Sequence, residues 1–163
     1  MTRPCRALSL VILPALLLGA AEGARACFGT RLRIGVQPGT PAELPALATG
    51  YFLEERAGIT PEFVEIQEGP ARALSGGRVD LVIAPASAPA PEGAAERPAG
   101  PVPGLGPARY WIRPTVLEDL RFTLVDRALG RIPGLFRSGA FRRAVGSGDP
   151  PRRAARRAVL DAP

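Results

Sequence analysis

The chain has 163 residues, 46% of them hydrophobic and 22% charged, with a formal net charge of +6. That length suits one domain, or one domain and a small tail. All 21 basic residues are Arg, Lys and His are absent, and Cys occurs twice. This excludes a His general base, a His/Cys metal cluster, a Schiff-base Lys and a Walker lysine. A binding function is therefore favoured over an enzyme, with no catalytic residue, metal or cofactor expected.

Residues 1–26 have the layout of a secretory signal peptide. Arg3 and Arg6 precede an apolar run from Leu8 to Ala21, and Ala24-Arg25-Ala26 follows with small residues at the −3 and −1 positions of a cleavage site. The run is shorter than the roughly 20 apolar residues a bilayer span needs. The mature chain would start at Cys27, an export product in a periplasmic or other extracytoplasmic space. Cys27 is also a candidate for lipidation and membrane anchoring. Cys5 leaves with the signal, so no intramolecular disulfide can form.

The mature charge is divided. Residues 27–108 hold 6 Arg against 9 acids, and residues 109–163 hold 12 Arg against 5. The basic balance belongs to the C-terminal third.

Residues 27–87 read as an α/β lobe with a parallel βαβαβ half-sheet. In Arg31 to Val36, Leu32, Ile34 and Val36 alternate onto one face, the pattern of a strand. Thr40, Pro41 and Glu43 then make a helix start with a capping box. Leu44, Leu47, Ala48, Tyr51 and Phe52 repeat as one helical stripe, and Gly58 stops it. Ile59 to Ile66 is a second strand. Pro70 opens a short helix that Gly76 and Gly77 end. Val79 to Ala84 is a third strand, apolar on both faces as parallel-sheet strands are. Ligands of such sheets gather at the carboxyl ends of the strands. The loops there offer Gln37, Gly39, Thr40, Gln67, Gly69 and Ser87 as ligand-binding residues, with backbone N–H groups that would favour a polar or anionic solute; the alternative is that they are ordinary turns of a structural α/β unit. Asp80 reads as a structural residue that caps or pairs locally. Glu65 and Glu68 could be drawn as an acid/base pair, and are more simply surface charges beside a strand end.

The segments 31–36 (RLRIGV), 50–55 (GYFLEE), 62–66 (EFVEI) and 73–84 (ALSGGRVDLVIA) resemble the opening lobe of a periplasmic solute-binding protein. The similarity is to the nitrate, sulfonate and thiamine-precursor type that feeds ABC transporters. It covers residues 31–87 and reads as the first lobe only, in a truncated form. The resemblance implies capture of a small solute and its delivery to an ABC permease in the membrane.

Residues 88–109 are dominated by Ala, Pro and Gly and read as a linker. Residues 110–163 read as a helical, basic C-terminal segment. In it Leu117, Leu120, Leu124 and Ala128 form a stripe expected to pack on the sheet, and Gly130 ends that helix. Arg137, Arg142, Arg143, Arg152, Arg153, Arg156 and Arg157 make a basic tail, read as solvated or disordered. The expected function is the exported substrate-binding component of an ABC-type transporter, with no nucleic acid partner. The alternative is a truncated, non-binding α/β interaction protein that meets a partner or a membrane surface through its Arg-rich tail.

Overall fold

The computed structural model describes residues 31–162. The signal-peptide expectation for residues 1–26 and the lipidation expectation for Cys27 lie outside the described residues. Five strands form one sheet: β1 (Arg31–Val36), β2 (Thr60–Glu65), β3 (Leu81–Pro85), β4 (Ala95–Val102) and β5 (Gly106–Ile112), in the order β2-β1-β3-β5-β4. β1 pairs parallel with both β2 and β3, while β5 runs antiparallel to β3 and to β4. Four strands thus point one way and β5 opposes them.

Helix α1 (Glu43–Ala57) links β1 to β2, and α2 (Pro70–Ser75) links β2 to β3. The first crossover moves outward and the second returns past β1. Right-handed connections therefore place the two helices on opposite faces of the sheet. On one face Leu32, Ile34, Leu81, Ile83, Tyr110 and Ile112 meet α1 and the C-terminal helices. On the other, Val82, Ala84 and Trp111 meet Ala73 and Leu74 of α2. The alternation of β3 between two apolar faces explains its unbroken hydrophobic run.

The expected β1 coincides with the observed strand, and Gly58 caps α1 in the left-handed conformation at φ 65°. The start of α1 is displaced from the capping box. The Thr40 hydroxyl oxygen accepts from the Ala42 N–H at 3.3 Å, and the Glu43 carboxylate accepts from the Gly39 N–H at 2.7 Å. α1 lies between the sheet and the outer helices, with Pro45 to Gly50, Phe52 and Leu53 all buried. Gly50 is where the Phe63 ring of β2 rests on that helix. A Cβ there would lie 2.4 Å from the ring.

The segment 88–109 is not a linker. It carries β4 and most of β5, an antiparallel hairpin whose Ala99, Val102 and Ala108 enter the main core. A bulge between Pro98 and Gly100 bends β4. Gly100 takes φ +82° there, with Pro133 3.2 Å from where a Cβ would stand. Residues 110–112, expected at the head of a helical segment, complete β5.

Six pieces follow: α3 (Pro114–Glu118), a 3-10 turn (Leu120–Phe122), α4 (Thr123–Leu129), α5 (Ile132–Arg137), α6 (Gly139–Val145) and α7 (Pro151–Leu160). The expected leucine stripe does not form one packed helix. Asp119 interrupts it, its carboxylate accepting from the Arg121 N–H at 2.9 Å. Leu120 is 85% exposed and Leu124 half-exposed, while Ala128 of the stripe is buried together with Val116, Phe122, Val125 and Leu129, and Leu117 packs against them. The basic tail is ordered as helices, with Arg137 on α5, Arg142 and Arg143 on α6 and the last four arginines on α7, which docks on α1 through Ala155, Ala158 and Val159. Residues 32–159 therefore contribute to one continuous main core rather than to a lobe with an appendage.

Two polar ties fasten the fold, one within the sheet and one between the sheet and α1. Asp80 accepts two bonds from the Arg33 guanidinium at 2.9 and 3.1 Å, one from the Arg33 backbone N–H at 3.0 Å, and one from Arg113 at 3.2 Å. It thereby clamps β1, β3 and the end of β5 together, a structural role as expected, though through partners distant in the sequence rather than by local pairing. These bonds to Asp80 also raise the pKa of Arg33. In the core, the Thr49 hydroxyl donates to the Pro45 carbonyl at 2.8 Å, so the Tyr110 hydroxyl donates to Thr49 at 2.9 Å.

Candidate functional site

The parallel register sets Val36 opposite Glu65, and the Ile66 N–H continues the ladder to the Val36 carbonyl at 2.9 Å. Gln37 and Gln67 are therefore the first residues to leave the sheet, side by side at the carboxyl ends of β1 and β2. A shallow cleft of about 450 Å³ opens between them, lined by Gln37, Pro38, Thr40, Glu65, Ile66 and Gln67.

Three of the six residues expected at a ligand site, Gln37, Thr40 and Gln67, line this cleft. Gly39 and Gly69 do not. Both adopt positive φ in the turns that precede α1 and α2, with open space where a Cβ would stand. Ser87 lies exposed in the turn after β3, outside the cleft. That turn is engaged by the hairpin through a bond from the Ala86 N–H to the Pro107 carbonyl at 2.8 Å. The hairpin tip reaches on to the loop after β1, where a Cβ on Gly104 would be 3.5 Å from Pro41. The loops after β1 and β3 diverge, the place where doubly wound sheets bind ligands. Here the chain's own hairpin reaches across it.

The electrostatics differ from those of an anion cradle. The Gly39 N–H is taken by Glu43. The Thr40 hydroxyl donates to the Gln37 carbonyl at 2.8 Å. Among the described residues, the only charged side chain lining the cleft is Glu65. Glu68 stands apart, ion-paired with Arg78 and accepting from the Gln67 N–H at 3.2 Å. A bond from its own backbone N–H, then Arg78, hold its carboxyl below the ordinary range. Glu68 is thus committed to a local pair, and Glu65 faces the cleft without it. Sequence reasoning treated Glu65 as a plain surface charge. The β1–β2 register, which puts residue 65 level with the end of β1, is the signal that places it.

Among the described residues, no group of three His, Cys, Asp or Glu side chains is arranged to hold a metal. No helix among them is long and apolar enough to cross a membrane. In comparisons with known proteins, no family model, no curated protein and no solved structure matches the chain.

Proposed function

We propose that the chain is a non-enzymatic solute-binding protein, exported to serve as the substrate-binding component of an ABC-type importer and its membrane permease. The single observation that carries this is the convergence of Gln37, Thr40, Gln67 and Glu65 on one cleft at the carboxyl ends of two parallel strands. Two amides and one carboxylate, with no basic side chain among the described residues that line the cleft, suit a small polar solute that is neutral or cationic, while the Thr40 hydroxyl is held by the Gln37 carbonyl and the Ala42 N–H. Ile66 and Pro38 supply the apolar wall such sites use alongside a few placed polar groups.

Thermal denaturation with amino acids, amides, quaternary ammonium compounds, thiamine precursors, nitrate and sulfonates tests the proposal. A ligand at a hundredfold excess over its dissociation constant adds about 2.7 kcal/mol of stability. Gln67→Ala and Glu65→Gln are expected to abolish that gain while leaving the ligand-free midpoint in place. A panel that shifts nothing, or a shift indifferent to both substitutions, overturns it.

The hairpin tip beside Pro41 favours a second reading. A lobe whose crevice is reached across by its own chain is an interaction module rather than a receptor. In that case no solute stabilises the protein, and neither Gln67→Ala nor Glu65→Gln alters its response to the panel.

A further inference from the structure

Helix α7 turns Ala154, Ala155, Ala158 and Val159 inward. The residues left outside fall in two rows at a spacing of four. Arg153 and Arg157 form one, and Arg157 is tied to Asp149 at 3.0 Å. Arg152, Arg156 and Leu160 form the other, and it is unusual in three ways.

The two arginines are fixed on aromatic rings rather than on carboxylates. The Arg152 guanidinium lies 5.3 Å from the Phe63 ring centre and that of Arg156 lies 5.6 Å from Tyr51. The rings themselves meet edge to face at 5.2 Å. Arg56, 5.8 Å from the Phe52 ring centre, lines a pocket with Ala162 and so extends the series beyond the end of α7. Stacking holds a planar guanidinium in place while leaving its N–H groups available, so less freedom is lost when an anion arrives. Next, of the arginines that form no ion pair among the described residues, nine lie on α1, α4, α5, α6 and α7 or the turns joining them, whereas Arg31 and Arg72 lie elsewhere. Against these nine stand four acids without an ion pair among the described residues, Glu43, Glu54, Glu55 and Asp161, on the same elements or at their ends, so the excess charge on this side is positive. Finally, Leu160, in register with the stacked pair, is 64% exposed.

We infer that this flank of α7 is a docking surface for an anionic phospholipid bilayer. The arginines would meet the phosphates and Leu160 would enter the headgroup boundary, the division of labour found in interfacial helices. An exposed leucine in the row is of no use against a nucleic acid duplex. Single-stranded nucleic acid would need the ring faces that the guanidiniums already cover. This inference is independent of the cleft at Gln37 and Gln67, which lies at the strand ends.

Flotation of the full chain with vesicles of phosphatidylcholine containing 30% phosphatidylglycerol tests it, against pure phosphatidylcholine vesicles. The expected result is at least tenfold more protein on the anionic vesicles, a loss of most of that binding on raising salt from 50 to 300 mM, and a tenfold or greater weakening in Arg152→Ala/Arg156→Ala. Arg72→Ala, on α2 across the sheet, removes the same kind of charge and is expected to leave binding within twofold. Circular dichroism checks that each variant is folded. Leu160→Ala is expected to weaken vesicle binding severalfold with net charge unchanged. Equal loss in Arg72→Ala, equal binding to neutral vesicles, or competition by a duplex DNA oligomer at the same concentration as anionic lipid each overturns the assignment.

Discussion

Tyr110 sends its hydroxyl into the middle of the main core, where it is fully buried and its one described partner is Thr49. Burial pushes its pKa above the ordinary tyrosine value, and the bond to Thr49 opposes this more weakly. The neutral form is favoured in the folded state, so below about pH 10 the group binds one proton in both states. Above that pH the unfolded chain releases the proton first, and stability falls by about 1.4 kcal/mol per pH unit until the folded state also ionises. Tyr110→Phe is expected to cost about 1 kcal/mol at neutral pH and to remove that alkaline slope. Thr49→Val is expected to cost more, about 1–3 kcal/mol, because it leaves a buried hydroxyl without an acceptor. Urea titrations at pH 7 and pH 11 read both effects; an alkaline slope that persists in the phenylalanine variant contradicts this assignment.

α7 shows at the scale of one element how an arginine-rich stretch becomes ordered. Its alanines are small enough for close approach to α1, and Ala155 has no exposed surface. Ala155→Asp would bury a carboxylate without a partner, at a cost of about 3–5 kcal/mol. It is expected to release the helix, seen as faster tryptic cleavage after Arg152, Arg153, Arg156 and Arg157. Unchanged cleavage would mean the helix does not depend on that packing. The same element explains what the sequence concealed. Arg pairs read as solvated because the alanines between them are weak hydrophobic signals, although they are the contact face. The strands β1 to β3 were legible because Leu32, Ile34, Leu81 and Ile83 carry strong apolar periodicity. The hairpin was not, because β4 is built from Ala, Pro and Gly, whose strand preference is low and whose place is decided by β5 and α5. Tyr110-Trp111-Ile112 was the one cue to a strand there, three aromatic and β-branched residues in a row. The stripe through Leu120 failed because Asp119 prefers to cap a turn rather than continue a helix. At the cleft, Gln37, Thr40 and Gln67 followed from strand ends alone. Glu65 required the register, and Ser87 was lost to a hairpin that was not foreseen.

Across the whole molecule, one core draws on β1 and α7 alike, so the halves that differ in charge are not separate folding units. Trp111 provides a check, being the only tryptophan and lying in the smaller cluster on the α2 face. Far-ultraviolet circular dichroism reports mainly the helices of the opposite face. The two signals are expected to trace the same urea transition, as in two-state unfolding. Separate midpoints would show that the faces unfold independently.

The outer strands of the sheet have a consequence for how this molecule meets others. β2 carries Pro61, and β4 carries Pro98 and Pro101 beside its bulge. Each proline deletes a donor from a border where a foreign strand would otherwise attach. Sheet growth from molecule to molecule is thereby discouraged at both margins, which guards a concentrated solution against fibrous aggregation. A companion is thereby steered toward side-chain contacts, on the helical side or at the strand tips, and away from joining as a sixth ribbon.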